Sequence, residues 1–256
     1  HLHDPELLPL ARKLKKRGKK VIFDSHEDVG GQILGKKWIP VFLRPFVSYL
    51  YSIYSNRVLT EMDYLIGVTP NLTEKLRVIN SNSETITNFP VLDPDVSFVK
   101  ETKTSYKKSF CFAGGITEQW NHETILTALE AIDASYILMG RATEEYLLKL
   151  KNFRSWEKVT HHGVLPHEQV GAILHTCAAG LAIVDYSDNS FGKIGTLGNT
   201  KLFEFMKAGI PVICTDFLLW EKIIEKWDCG ICIPPRDPVS LQEAMRFMIN
   251  NPDRAK

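Results

Sequence analysis

The stretch GTLGNTKLFEFMKAGIPVICTDF, residues 195–217, decides the fold. It reads as a glycine-bearing loop, a short helix and a buried strand in succession, which is one βα unit of a parallel sheet. Gly195 and Gly198 let the backbone come close to a ligand, and Asn199 or Thr200 is placed to cap the helix. Lys201, Leu202, Phe205 and Met206 recur at helical spacing, so one apolar stripe faces a sheet while the first turn faces a ligand. Gly209 stops the helix, Ile210 before Pro211 is extended, and Pro211 to Cys214 is a short buried strand. Free amides at such a helix entrance attract phosphate. Lys201 and Glu204 lie one turn apart, an ammonium suited to diphosphate beside a carboxylate suited to sugar hydroxyls. A plain surface ion pair is the alternative reading of the same spacing.

Outward from this segment, strands and helices alternate along the whole chain. In the first half, Pro5 to Arg17 is helical, Lys20 to Asp24 a strand, Ser25 to Lys37 a glycine-containing loop, and Pro40 to Met62 a long aromatic-rich helix. Tyr64 to Val68 is a strand, Asn71 to Ile79 a helix and Glu84 to Thr87 a strand, together half of an open parallel sheet. Residues 91–108 carry Pro94, aspartates and lysines with no sustained period, and read as a linker between an N-terminal domain, 1–90, and a C-terminal domain, 109–256. Strands then fall at Ser109 to Ala113, Ser135 to Met139, Lys158 to His161, Ala179 to Val184 and Gly230 to Ile233. Helices fall at Asn121 to Ile132, Thr143 to Arg154, Pro166 to His175 and Pro238 to Ile249. There is no short repeat, so each half is expected to be a doubly wound, Rossmann-like α/β domain.

With 256 residues, 44% of them hydrophobic, the chain can bury two modest cores, and a net charge of +1 gives no reason to expect nucleic acid. The densest basic stretch, Arg12 to Lys20, suits either a solvated helix face or anionic lipid, so peripheral membrane contact stays open. Five scattered cysteines in apolar segments argue for a reduced, cytoplasmic chain; Cys229 and Cys232 have CxxC spacing but lack a second pair. No apolar run reaches the roughly 20 residues of a membrane span. The chain opens on HLHDPELLP without an initiating methionine and stops at NPDRAK within a helical pattern. The expectation is a chain cut at both ends, with an incomplete N-terminal domain.

KLFEFMKAGIPVICTDF resembles the donor-site segment of family 4 glycosyltransferases, typically KLxEYMAxGxPVVxTD, and HLHDPELLP, FDSHE, ITNFP and HHGVLPHEQV resemble other segments of the family in the same order. The resemblance implies the GT-B architecture of two facing Rossmann-like domains and a retaining transfer from a nucleotide-diphosphate sugar. The acceptor would be a hydroxyl of a glycan or glycolipid, as in lipopolysaccharide or polysaccharide biosynthesis, at the inner face of a membrane. No further cofactor and no metal are implied, the diphosphate sugar being a co-substrate. Glu204 matches the second glutamate of the family's E-x7-E motif, which binds the donor ribose, and Lys201 matches a basic position near the diphosphate. The first glutamate would fall at Thr196, a departure from the pattern. The transferred sugar is therefore assigned to Gly195, Thr196, Leu197, Gly198 and Asn199.

By the same resemblance His3 lies near the transferred sugar and, with Lys201, is a catalytic candidate. Asp4 is instead placed to cap the helix after it. His26 and Glu27 follow the next strand and are acceptor-side candidates. Gly114 and Gly115 form the first turn of the second domain, where the family's arginine and lysine are missing; Gly115, Asn121 and His122 stand near those positions. His162 to Leu165, with Gly163, Val164 and Leu165, resembles the loop that reads the base, and Arg141 is a further phosphate candidate.

Two other classes stay open. HLHD and SHED cluster histidines and carboxylates as a metal-dependent hydrolase would, although HxHD has no third histidine nearby in sequence. Thr196 and the missing basic pair suit a noncatalytic, nucleotide-binding scaffold.

Overall fold

A computed structural model describes residues 1–36, 38–92, 108–187 and 190–252. The expected linker, 91–108, falls almost wholly outside the described residues. Two compact units emerge. The first comprises 1–88 with 187–198, and the second 89–186 with 199–256.

The first unit holds a three-stranded parallel sheet of order β1-β2-β3, with β1 Ile22–Ser25, β2 Tyr64–Gly67 and β3 Ser83–Thr85. Leu2 bridges Phe23 in parallel, donating its amide to the Ile22 carbonyl at 3.0 Å and accepting from the Asp24 amide at 2.8 Å. Four helices pack here: α1 Leu8–Lys16, α2 Val29–Gly35, α3 Arg44–Thr60 and α4 Pro70–Ile79. Their core is built from Leu8, Ala11, Phe23, Val58, Leu65 and Leu72, all buried. Thr69 caps α4 by accepting the Leu72 amide.

The segment 25–37, expected as a glycine loop, contains the helix α2. Asp28 caps it, its Oδ1 accepting the Gly31 amide at 3.0 Å. Gly30 serves packing: a Cβ there would stand 3.0 Å from Ser52 Oγ on α3, and Ser48 Oγ donates to the Gly30 carbonyl. Close helix–helix approach, not a turn, explains that glycine.

The second unit is a six-stranded parallel sheet of order β6-β5-β4-β7-β8-β9. Its strands are β4 Ser109–Ala113, β5 Ser135–Met139, β6 Val159–Gly163, β7 Ala179–Ala182, β8 Val212–Thr215 and β9 Gly230–Ile233. The order reverses between β4 and β7, the doubly wound topology whose ligands sit outside the carboxyl ends of the strands. The helices are α5 His122–Glu130, α6 Glu144–Lys151, α7 His167–Leu174, α8 Lys201–Lys207, α9 Leu218–Trp227 and α10 Pro238–Asn250. Helix α9 was not anticipated from sequence; its Trp220 and Ile224 are buried. Helix α8 docks on β7 because Gly180 offers no side chain: a Cβ there would overlap the Phe205 ring. Cys214 and Cys232 are register partners on β8 and β9, sulfurs 3.6 Å apart, and this neighbour together with burial pushes the Cys214 thiol up. Among the described residues no helix is long and apolar enough to cross a membrane.

His122, at the first position of α5, is wholly buried, its Nδ1 3.0 Å from the Tyr136 hydroxyl and its ring edge-on to Phe112. It belongs to the core and not to a phosphate site. Burial pushes its pKa down to about 3. The folded value lies below the unfolded one, so the stability is fully present above about pH 6.5 and drains as pH falls toward about 3. At pH 5 the loss is about 2 kcal/mol, roughly 5 °C in Tm. Thermal melts by circular dichroism should show that drop between pH 7 and pH 5, and His122→Gln should shrink it.

Candidate functional site

All six strands of the second unit run parallel, so their carboxyl ends share one edge. Three adjacent strands leave it through glycines with positive φ: Gly114 after β4 (149°), Gly140 after β5 (138°) and Gly163 at the end of β6 (67°). The backbone is laced across them. The Gly114 amide donates to the Met139 carbonyl at 2.9 Å, and the Gly140 amide to the Gly163 carbonyl at 2.7 Å. A Cβ on Gly140 would overlap the Gly114 carbonyl oxygen. Val164 beyond β6 is exposed, while Leu165 packs against the core. Arg141 enters through its backbone, its carbonyl accepting the Ile116 amide.

Lys201 lies over this edge. A Cβ at Gly114 would sit 2.5 Å from Lys201 Cε and 3.1 Å from Nζ, whereas one at Gly115 would meet nothing within 4 Å. Two residues singled out for different reasons, Gly114 and Lys201, are thus brought together. Lys201 and Glu204 form an ion pair, Nζ to Oε2 at 3.2 Å, with side chains only 16% and 29% exposed. It is therefore no freely solvated surface pair. Glu204 Oε1 accepts from the Thr200 hydroxyl at 3.0 Å, and Asn199 Oδ1 accepts the Lys201 amide at 3.2 Å. Asn199 thus supplies the helix-entrance bond, while Thr200 orients the glutamate.

The residues just upstream, Gly195 to Gly198, group with the first unit, and the division falls between Gly198 and Asn199. Gly195 has φ 85°. The Thr196 hydroxyl accepts the Gly198 amide at 3.0 Å, and Gly198 packs near Thr69. Leu197 lies between them.

In the first unit, His3 and His26 meet, Nδ1 to Nε2 at 3.4 Å. Both face Asp24, which sequence reading had passed over as a site residue. Asp4 precedes a 3-10 turn and makes no side-chain cap. Glu27 is held by Gln32 Nε2. Next to it Asp28 is ion-paired with Lys75 at 2.6 Å. Burial raises the Asp28 carboxyl, but the bonds from Lys75 and the Gly31 amide outweigh it and lower its pKa. His3, His26, Glu27, Asp28, Tyr51 and Lys75 line part of a cavity of about 1070 Å³ within this unit.

A second polar cluster at the carboxyl edge of the larger sheet was also not foreseen. Asp185, in the loop after β7, accepts from Asn121 Nδ2 at 2.9 Å and from both arms of Arg236, at 2.9 and 2.5 Å. The Arg236 guanidinium holds its carboxyl below the usual range. Asn121 adopts φ 51°, which turns its amide toward Asp185 and sends the next residue, His122, into the core. The only advance signal was an asparagine at a helix entrance; its partner Asp185 lies 64 positions further along, and Arg236, which bonds Asp185, lies 51 beyond that.

A model of the family described as glycosyl transferases group 1 matches residues 95–256. Comparison with curated proteins finds no match. Among solved structures, HepE of Anabaena, crystallised with UDP, is 12% identical with a TM-score of 0.70, over 99% of this chain and 70% of that one. Sucrose-phosphate synthase of Thermosynechococcus elongatus is 16% identical with a TM-score of 0.68, over 99% and 65%. WaaG, a glycosyltransferase involved in lipopolysaccharide biosynthesis, is 13% identical with a TM-score of 0.66, over 96% and 73%. At such identities the likeness concerns the fold, which is of the GT-B class: two Rossmann-like units, here with three and six parallel strands.

The close approach at Gly140 is testable. Gly140→Ala combines positive φ with a backbone overlap, and should cost about 3 kcal/mol or more in a denaturant titration. Gly115→Ala, open on the same edge, should stay within about 1 kcal/mol.

Proposed function

This chain belongs to the glycosyl transferases group 1 family, whose model spans 95–256, and from that premise we propose that it moves a sugar from a nucleotide-diphosphate donor to a hydroxyl of a glycan or glycolipid acceptor. The observation that carries the reading is Lys201: an ammonium held over the Gly114 turn by Glu204, where an incoming diphosphate would meet the sheet edge.

In this reading the donor diphosphate takes over the Lys201 ammonium, and Glu204, released from it, turns its carboxylate to the ribose hydroxyls. Gly163, Val164 and Leu165 border the base, with Gly114 and Gly115 admitting the backbone-close phosphates. HepE was crystallised with UDP, so a uridine donor is the first to try. Gly195 to Asn199 contact the sugar. The family 4 resemblance adds retention of configuration: the diphosphate leaves from the face that the acceptor enters, and one of its oxygens takes the acceptor proton. Lys201 supplies the positive charge that a metal supplies elsewhere, so transfer is metal-independent. The family 4 resemblance assigns His3 to the transferred sugar and His26 and Glu27 to the acceptor side; all three line the cavity of the first unit. Trp38, Phe42, Phe46 and Tyr49 are exposed on that unit and suit a peripheral contact with the inner face of a membrane.

One observation favours a noncatalytic nucleotide-binding scaffold: position 196 is threonine, its hydroxyl engaged by the Gly198 amide. The two readings part in one experiment. The intact protein, incubated with UDP- and GDP-sugars, should release the nucleoside diphosphate in the presence of a glycan acceptor; thermal stabilisation without turnover would select the scaffold. For the transferase, Glu204→Ala should weaken donor binding about tenfold and Lys201→Ala should lower kcat about 100-fold. Unchanged kinetics in both variants would remove the assignment.

A further inference from the structure

The HLH segment lacks a third histidine in sequence, and the fold supplies one. Because Leu2 is registered against Phe23, the alternation of extended chains sends His1 and His3 to the same side of the backbone as Asp24. His1 Nε2 stands 3.3 Å and His3 Nδ1 3.5 Å from Asp24 Oδ2, and the two imidazoles stack with centroids 4.4 Å apart. The loop after β1 then returns His26, whose Nε2 is 3.4 Å from His3 Nδ1 and 3.7 Å from Asp24 Oδ1. His1, His3 and Asp24 each present one ligand atom, all within 4.8 Å of one another. A tetrahedral ion with bonds of about 2.0–2.1 Å has ligand–ligand edges of about 3.3 Å. The contacts of His1 and His3 with Asp24, at 3.3 and 3.5 Å, and of His26 with His3, at 3.4 Å, lie close to such an edge.

A second observation comes from the carboxylate. Asp24 is only 15% exposed, and among the described residues its buried Oδ1 has no hydrogen-bond partner. Leaving a buried carboxylate oxygen without a donor is costly, and a cation removes that cost. The histidines are 44–52% exposed, so an ion can enter from solvent. Three imidazoles and one carboxylate favour zinc, cobalt or nickel over the hard cations magnesium and calcium, which take oxygen ligands.

We propose that His1, His3, His26 and Asp24 form a binding site for a zinc-class divalent cation, which clasps the HLH segment to β1. The ligands are ring nitrogens and a side-chain oxygen, and no chain terminus takes part. The site shares His3 and His26 with the sugar-transfer reading, but its evidence does not rest on that reading, whose metal-free step concerns the donor diphosphate.

The test is titration of the metal-stripped full chain with Zn²⁺ by calorimetry and with Co²⁺ by visible absorption. One equivalent should bind, the cobalt form should show the intense visible bands of tetrahedral coordination, Zn²⁺ should raise Tm, and Mg²⁺ should do neither. His26→Gln and Asp24→Asn should each weaken Zn²⁺ binding at least tenfold, while His175→Ala, on the other unit, should leave it unchanged. Far-ultraviolet circular dichroism of the stripped variants separates a lost ligand from a lost fold. Absence of stoichiometric zinc binding, or full affinity in both His26→Gln and Asp24→Asn, would overturn the proposal.

Discussion

Backbone-on-backbone approach at the strand exits governs the larger unit. Gly140 presses on the Gly114 carbonyl, Gly114 receives Lys201, and the amide of Gly140 is bonded to Gly163. Any side chain at Gly140 would push neighbouring exits apart, and with them the platform on which the lysine rests. Parallel strands concentrate loop entrances on one edge, and here two of them, at Gly114 and Gly140, admit a close neighbour only because a Cβ is absent. The position of the Lys201 ammonium is therefore set by packing beneath it as much as by its partner Glu204.

The helix that carries both residues is short, seven residues, and little of its stability comes from its own hydrogen bonds. Leu202 and Phe205 anchor it in the core, Phe205 against the bare face of Gly180. Asn199 and Thr200 divide the work at its entrance, one bonding the Lys201 amide and the other the Glu204 carboxylate. A buried apolar stripe thus holds a polar first turn at the sheet edge, and a nucleotide-sugar chemistry proposed for that turn inherits its geometry from the core.

The first unit uses a different device. Its edge segment is joined to β1 by two backbone hydrogen bonds around Leu2, and the same alternation that buries Phe23 gathers polar groups on the opposite side. Asp24 sits at the centre of that group. Its neighbours Asp28 and Lys75 form a separate ion pair on the cavity wall, so the charges of this region are partitioned between two clusters.

Sequence alone carried the alternation of strands and helices, and with it the doubly wound class, because period-2 and period-3.6 apolar patterns are local and survive without knowledge of neighbours. Strands such as Ser109–Ala113 and Ser135–Met139 were legible to the residue since both are apolar runs closed by glycine. Helix α2 was hidden because its glycines look like a loop until the face of α3 is known, and α9 because Phe217 at its entrance is no capping residue. At the site, Lys201 and Glu204 were legible from spacing. What tertiary structure alone decided were the meetings of distant positions: Gly114 under Lys201, Asn121 with Asp185 and Arg236, and His26 beside His3. Those depend on strand order and register, which no local pattern encodes, because they are fixed by how whole elements pack.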